Sequence, residues 1–285
     1  MFWELSFQTA LRKLWENRAS QMDSPRLKSD VSPSWGVACR PTLLFVVAFV
    51  FNVTPHETVH AITSYLLGFN STVFQMWVNP DSAEATPTQL AIIAASGPVF
   101  SLAVGLVCWM LCQGRFRDGA SGLTFLMISM VGIYSFLGPL AGAALGGDFH
   151  TAFRFLHVPK PVGYLTSATG FILLPSFMFY MGRELLRWAP HEFGRAKAVA
   201  CTTLIPWLVG TLLLLLVYWP LPGFLVGSML GGSAFWAFAV LGALLGFPTR
   251  QPVETISSFT RSDLILTIAA LAMVRLLVNG IRLTH

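Results

Sequence analysis

The chain reads as an all-α polytopic membrane protein with about seven transmembrane helices and a short β segment after the first. Two observations predict this. Over the 285 residues, 54% are hydrophobic and only 11% charged, with a mean hydropathy of +0.65, whereas a soluble domain carries about 25% charge. The apolar residues also fall into long runs separated by short loops, each run the length a helix needs to cross a bilayer. The net charge of +5 sits in those loops. No basic patch with interleaved aromatics occurs, so nucleic acid is excluded as a partner and the lipid bilayer is the expected surroundings.

Taken in order, residues 1–41 form a cytoplasmic segment. Trp3, Phe7, Ala10, Leu11, Leu14 and Trp15 share one face over 2–17, as in an amphipathic helix lying on a membrane. Residues 20–41 are rich in Ser, Pro and charge and read as a linker. The first span is expected at 42–68. Residues 70–79 favour a short strand or hairpin, because Thr72, Val73, Phe74, Trp77 and Val78 are strand formers. Further spans are expected at 88–111, 121–145, 162–181, 198–219, 223–247 and 264–281. The Pro220-Leu221-Pro222 link is short enough for a tight helical hairpin, with Tyr218 and Trp219 suited to the interface.

Lys and Arg cluster before the first span, after the second and after the fourth, which predicts a cytoplasmic N-terminus. Arg154 and Lys160, after the third span, run against this alternation. The first and third spans run in the same direction, so residues at their C-terminal ends fall in the same half of the bilayer.

The first span carries the chemistry. Its first half is wholly apolar, whereas its second half holds Asn52, Thr54, Pro55, His56, Glu57 and His60. Ionisable groups inside a membrane are costly and mark a functional site. His56-Glu57-Thr58-Val59-His60 is a His-Glu-x-x-His motif. On a helix, residues four apart share a face, so both imidazoles can point at one metal ion. Glu57 then sits where it can take a proton from water at the metal. Pro55 can open the helix locally and admit water or substrate.

Catalytic zinc usually takes three protein ligands. Asp148, directly after Gly146-Gly147 at the end of the third span, is the candidate for the third; His150 is the rival and His157 a weaker one. The four cysteines, Cys39, Cys108, Cys112 and Cys201, lack the spacing of a metal site and read as structural.

With these residues in view, the chain resembles the site-2 protease family of intramembrane zinc metalloproteases. The resemblance rests on the motif followed by Ala61, the Leu66-Leu67-Gly68 ending, the strand-like 72–78, Gly97-Pro98 in the next span and an Asp after the third. It covers about 42–150, the metalloprotease-like three-span core, and leaves 151–285 as an accessory transmembrane bundle. It implies that His56, His60 and Asp148 bind Zn2+. Glu57 would activate the water that attacks a peptide bond of a membrane-protein substrate, with Asn52, Pro55, Gly97 and Pro98 near the site. The chain departs from the family at three points. Residues 135–139 hold a proline without the usual asparagine, Gly-Asp replaces Asp-Gly, and Ser101 stands where an asparagine is common. Three functions are therefore carried forward: a zinc-dependent intramembrane endopeptidase, a membrane zinc hydrolase of a non-peptide substrate, and a non-enzymatic metal-binding membrane protein.

Arg275 and Asn279 are expected to form a polar contact in the last span. Arg183, Glu184 and Arg187 read as a solvated face, and Gly227, Gly231 and Gly232 as close helix packing.

Overall fold

A computed structural model describes residues 35–81, 83–116, 120–190, 192–246 and 261–285. The expected amphipathic helix at 2–17 lies outside them. The elements are α1 (Trp35–Leu66), β1 (Ser71–Val73), β2 (Val78–Pro80), α2 (Pro87–Gln113), α3 (Ala120–Ala141), α4 (Asp148–Phe155), α5 (Lys160–Leu185), α6 (Arg195–Val199), α7 (Ile205–Val217), α8 (Gly223–Ser233), α9 (Trp236–Leu245), α10 (Arg261–Leu277) and β3 (Ile281–Leu283). Six spans among the described residues are long and apolar enough to cross a membrane: Val37–Leu66, Pro87–Gln113, Ser121–Ala144, Lys160–Trp188, Arg195–Val217 and Gly223–Leu245. These make the chain a multi-pass membrane protein by length and composition. The seventh expected span corresponds to α10, which has 17 residues.

The helix α1 is central, packing against α2, α3, α7 and α10. It begins at Trp35, inside the expected linker, and continues through Pro41 and Pro55. Arg40, within this extension, is buried, and its Nε donates to Asp263 Oδ2 of α10 at 2.8 Å. Neither charge is tolerable there alone. Phe45, Val47, Leu126, Met127, Met130, Leu174, Met178 and Leu214 fill the core between α1, α3, α5 and α7.

Glycines set the closest helix approaches. A methyl group at Gly105 would meet Ile133 N of α3 at 2.7 Å, and one at Gly132 would meet Gly105 Cα at 2.8 Å. At Gly182 and Gly242 it would run into the backbone carbonyls of Ala239 and Phe179, across the α5–α9 contact. Gly227 and Gly231, expected in such a role, face open space, and only Gly232 of that set lies against a neighbour, the Tyr134 hydroxyl.

Several sequence expectations are revised. The sixth span is two helices, α8 and α9, broken at Ala234 and Phe235. The fifth contains a π-helical turn over Ala200–Leu204, just before Pro206, which has no N–H to continue the regular ladder. Tyr218 is fully buried, its hydroxyl 3.3 Å from Thr54 Oγ1. Glu184 and Arg187 are also buried, and Arg187 Nη1 donates to Glu184 Oε2 at 3.1 Å. Arg275 and Asn279 are exposed, and Arg275 Nη1 donates to the Trp219 carbonyl at 3.2 Å. No cysteine forms a disulfide; Cys39 is exposed and the other three are buried.

The β segment is a three-stranded antiparallel sheet in the order β2-β1-β3. The β1–β2 hairpin pairs Val73 with Val78, and stacked Phe74 and Trp77 rings, 4.0 Å apart, close its turn. The third strand is the end of the expected last span. Gly280, at φ +76°, reverses the chain, so Ile281 leaves the helix and pairs with Val73. The hairpin is tied to the helix bundle beside the motif: Thr54 Oγ1 donates to Gln75 O at 3.1 Å, and Gln75 Nε2 donates to Tyr218 O at 2.8 Å.

Candidate metal centre

His56 and His60 lie on one face of α1, one turn apart, their rings at 78° with centroids 4.8 Å apart. That face is turned toward α2. Each imidazole is held through Nδ1. His60 Nδ1 donates to Ile93 O at 2.6 Å, and His56 Nδ1 lies 2.9 Å from Ser101 Oγ. Holding Nδ1 in this way leaves the Nε2 lone pair of each ring for a metal.

Both Nε2 atoms face Asp148. Its Oδ2 lies 3.2 Å from His56 Nε2 and its Oδ1 3.8 Å from His60 Nε2. Asp148 gets there because Gly147, at φ +95°, bends the chain where α4 begins, a conformation costly for any other residue. One ligand atom from each of the three residues lies within 4.8 Å of the others, and both histidines are buried. Two imidazole nitrogens and a carboxylate suit zinc and other borderline divalent ions, so this donor set fits a metal.

The surroundings reserve space for these groups. A methyl group at Gly97 of α2 would meet His56 Nε2 at 2.7 Å and would stand closer still to His60 Nε2. Pro98 follows it, buried, in the same helix. Glu57 is half-buried beside the cluster, within electrostatic range of His56 and Asp148, and its carboxylate has no hydrogen-bond partner among the described residues. A carboxylate so placed is available to handle a proton.

The other candidate residues stand apart. His150, two residues beyond Asp148, donates from Nδ1 to Ala143 O at 3.3 Å and, with His157, lines a different cavity. Asn52 is fully buried and bridges helices: its Nδ2 donates to Ala48 O at 3.2 Å and to Ile128 O of α3 at 3.0 Å. It therefore serves packing. Pro55 interrupts the hydrogen-bond ladder without ending α1. Ser101, noted in the sequence only as standing where an asparagine is common, is the partner of His56. The signal was present, since Ser101 lies four residues after Gly97 and so shares its face.

Comparison with protein-family models, with curated proteins and with solved structures finds no match. The functional reading therefore rests on the site.

A cavity of about 470 Å3 reaches the cluster at Asp148 and Gly147. Its walls come mostly from apolar and small residues, among them Phe45, Phe49, Leu214 and Trp236. Helices α7 and α8 contribute to it, so the chain beyond residue 150 shapes the approach to the metal donors.

Proposed function

We propose that His56, His60 and Asp148 hold a zinc ion and that the chain is a zinc-dependent intramembrane endopeptidase, cleaving peptide bonds of membrane-embedded substrates. The observation that carries the reading is the approach of one carboxylate to two Nδ1-anchored histidines inside a helix bundle, with Glu57 alongside. Bound zinc would supply Lewis acidity toward a carbonyl and toward water.

The residues divide the remaining work. Ser101 and Ile93 O fix the ring orientations, and Gly97 keeps the space in front of them clear. Glu57 takes the proton of the attacking water and returns it to the leaving amine, as a general base and then a general acid. Buried walls exclude bulk water and strengthen the charge interactions within. The apolar cavity at Asp148 receives a hydrophobic segment of the substrate, whose helix must loosen to expose its peptide bond.

A non-peptide amide or ester is the second reading, and Ser101 favours it. The side chain standing where the resembled family commonly has an asparagine is engaged with His56 and holds no substrate backbone.

Elemental analysis of the purified protein tests the metal. About one zinc per chain is expected in wild type, lost in His60→Ala and Asp148→Ala. Absence of zinc from wild type after reloading overturns both hydrolase readings. Glu57→Gln tests the chemistry: it should keep the zinc while cleavage of a transmembrane peptide falls about 10²- to 10⁴-fold. Turnover unchanged in that variant would leave a metal-binding protein that is not this enzyme.

A further inference from the structure

A second cavity, of about 560 Å3, lies where the third span hands over to the fourth. It involves the loop residues that break the alternation of loop charge. His150, Arg154, His157, Lys160 and Tyr164 all line it, and no carboxylate stands among the described residues of its wall. We infer that it is a binding site for a phosphate-bearing anion, the headgroup of an anionic lipid.

Three observations carry this. The first is charge. Arg154 and Lys160, both exposed, bring two basic side chains to one cavity with no carboxylate among the described residues of its wall, an arrangement that favours an anion. The guanidinium of Arg154 stands over the Phe155 ring at 5.8 Å, which restrains it without neutralising it.

The second is construction. The backbone folds back on the last turn of α4: His157 N donates to Arg154 O at 3.3 Å and Val158 N to Phe153 O at 2.9 Å. His157 takes φ +51° in this turn. His150 is oriented by its Nδ1 bond to Ala143 O, which leaves Nε2 for a ligand. The volume suits a phosphate with its glycerol, more than a bare ion requires.

The third is setting. Lys160 is the first residue of a membrane-spanning helix, so the cavity lies at a membrane boundary. Leu156, Val162 and Leu165, each next in sequence to a lining residue, are 50%, 46% and 70% exposed. Basic side chains with exposed aliphatic neighbours in the chain match a lipid, whose phosphate meets the former and whose acyl chains cover the latter. The site does not depend on the hydrolase reading.

The test uses the full chain, reconstituted in vesicles of equimolar phosphatidylcholine and phosphatidylglycerol, extracted and examined by native mass spectrometry. Wild type should retain phosphatidylglycerol in preference to phosphatidylcholine. Arg154→Gln/Lys160→Gln should weaken retention about 25-fold, at about fivefold for each cation lost. The control Arg115→Gln/Arg282→Gln removes two exposed charges elsewhere and should retain the lipid as wild type does. Equal thermal melting of the variants in phosphatidylcholine confirms folding. Addition of inorganic phosphate then distinguishes the sources. No displacement supports a lipid, whereas displacement keeps the anion site but overturns its assignment to a lipid. Equal retention by both double variants, or no preference over phosphatidylcholine, overturns the site.

Discussion

Gly97→Ala is the sharpest test of how the metal donors are arranged. The added methyl group would stand 2.7 Å from both Nε2 and Cδ2 of His56, and closer to Nε2 of His60, where ordinary contact starts at 3.4 Å. Both rings, or α2 itself, must therefore give way, by about 0.7 Å at His56 and by more at His60. The rings cannot retreat freely, because His60 is bonded to Ile93 O at 2.6 Å and His56 to Ser101 Oγ at 2.9 Å. Either those bonds break or the Nε2 atoms leave their positions. Loss of a bond that orients a ligand costs about 10- to 100-fold in metal affinity, and a displacement of the ligands themselves should cost at least that. The assay is zinc affinity by competition with a chelator of known strength. Gly227→Ala, in open space, is the matched control and should bind as wild type. Wild-type affinity in Gly97→Ala would refute the argument that this glycine reserves the space of the donors.

Other substitutions probe separate features. Ser101→Ala removes the partner of His56 Nδ1 and should weaken zinc about 10- to 100-fold, with thermal stability little changed; unchanged zinc affinity would deny Ser101 that role. Asp263→Ala removes a carboxylate partner of the buried Arg40 and should destabilise the bundle by up to about 3–5 kcal/mol, whereas Arg40→Met/Asp263→Leu should recover most of the loss. Thermal melting of the single and double variants decides, and equal losses in both would mean the charges are not a pair. Gly182→Ala drives a methyl group into the Ala239 carbonyl and should cost about 1–3 kcal/mol by separating α5 from α9. A melting temperature equal to wild type would show that contact to be looser than described.

Local chemistry was legible before tertiary partnership was. His56 and His60 announce a shared face by their spacing, and the Gly146-Gly147 pair marks the bend that carries Asp148 inward. The hairpin at 70–79 was readable from its strand formers and turn. What escaped depends on residues far apart in the chain. Arg40 looks like a loop cation until Asp263, 223 residues later, is seen against it. Glu184 and Arg187 look solvated because helical spacing shows that they can pair and not whether the pair is covered. Tyr218 has the amphipathic character of an interface residue, yet Thr54 offers its hydroxyl a buried partner. Ile281 belongs to an apolar run whose end is set by one glycine turn and a strand waiting to be paired.

The separation of the metal donors along the chain also bears on how the protein is made. When α1 enters the bilayer during synthesis, its second half brings a glutamate and two histidines with none of their eventual neighbours. Ser101 is 45 residues away and Asp148 is 92 residues away from His56. At about 5–20 residues per second of elongation, the nascent chain holds these groups for about 5–18 seconds before α4 emerges. A lone helix of this composition is a poor lipid-facing segment, so α1 should linger at the insertion machinery until α2 and α3 arrive to cover it. Truncated chains ending before α2, after α3 and after α4 would locate that release step.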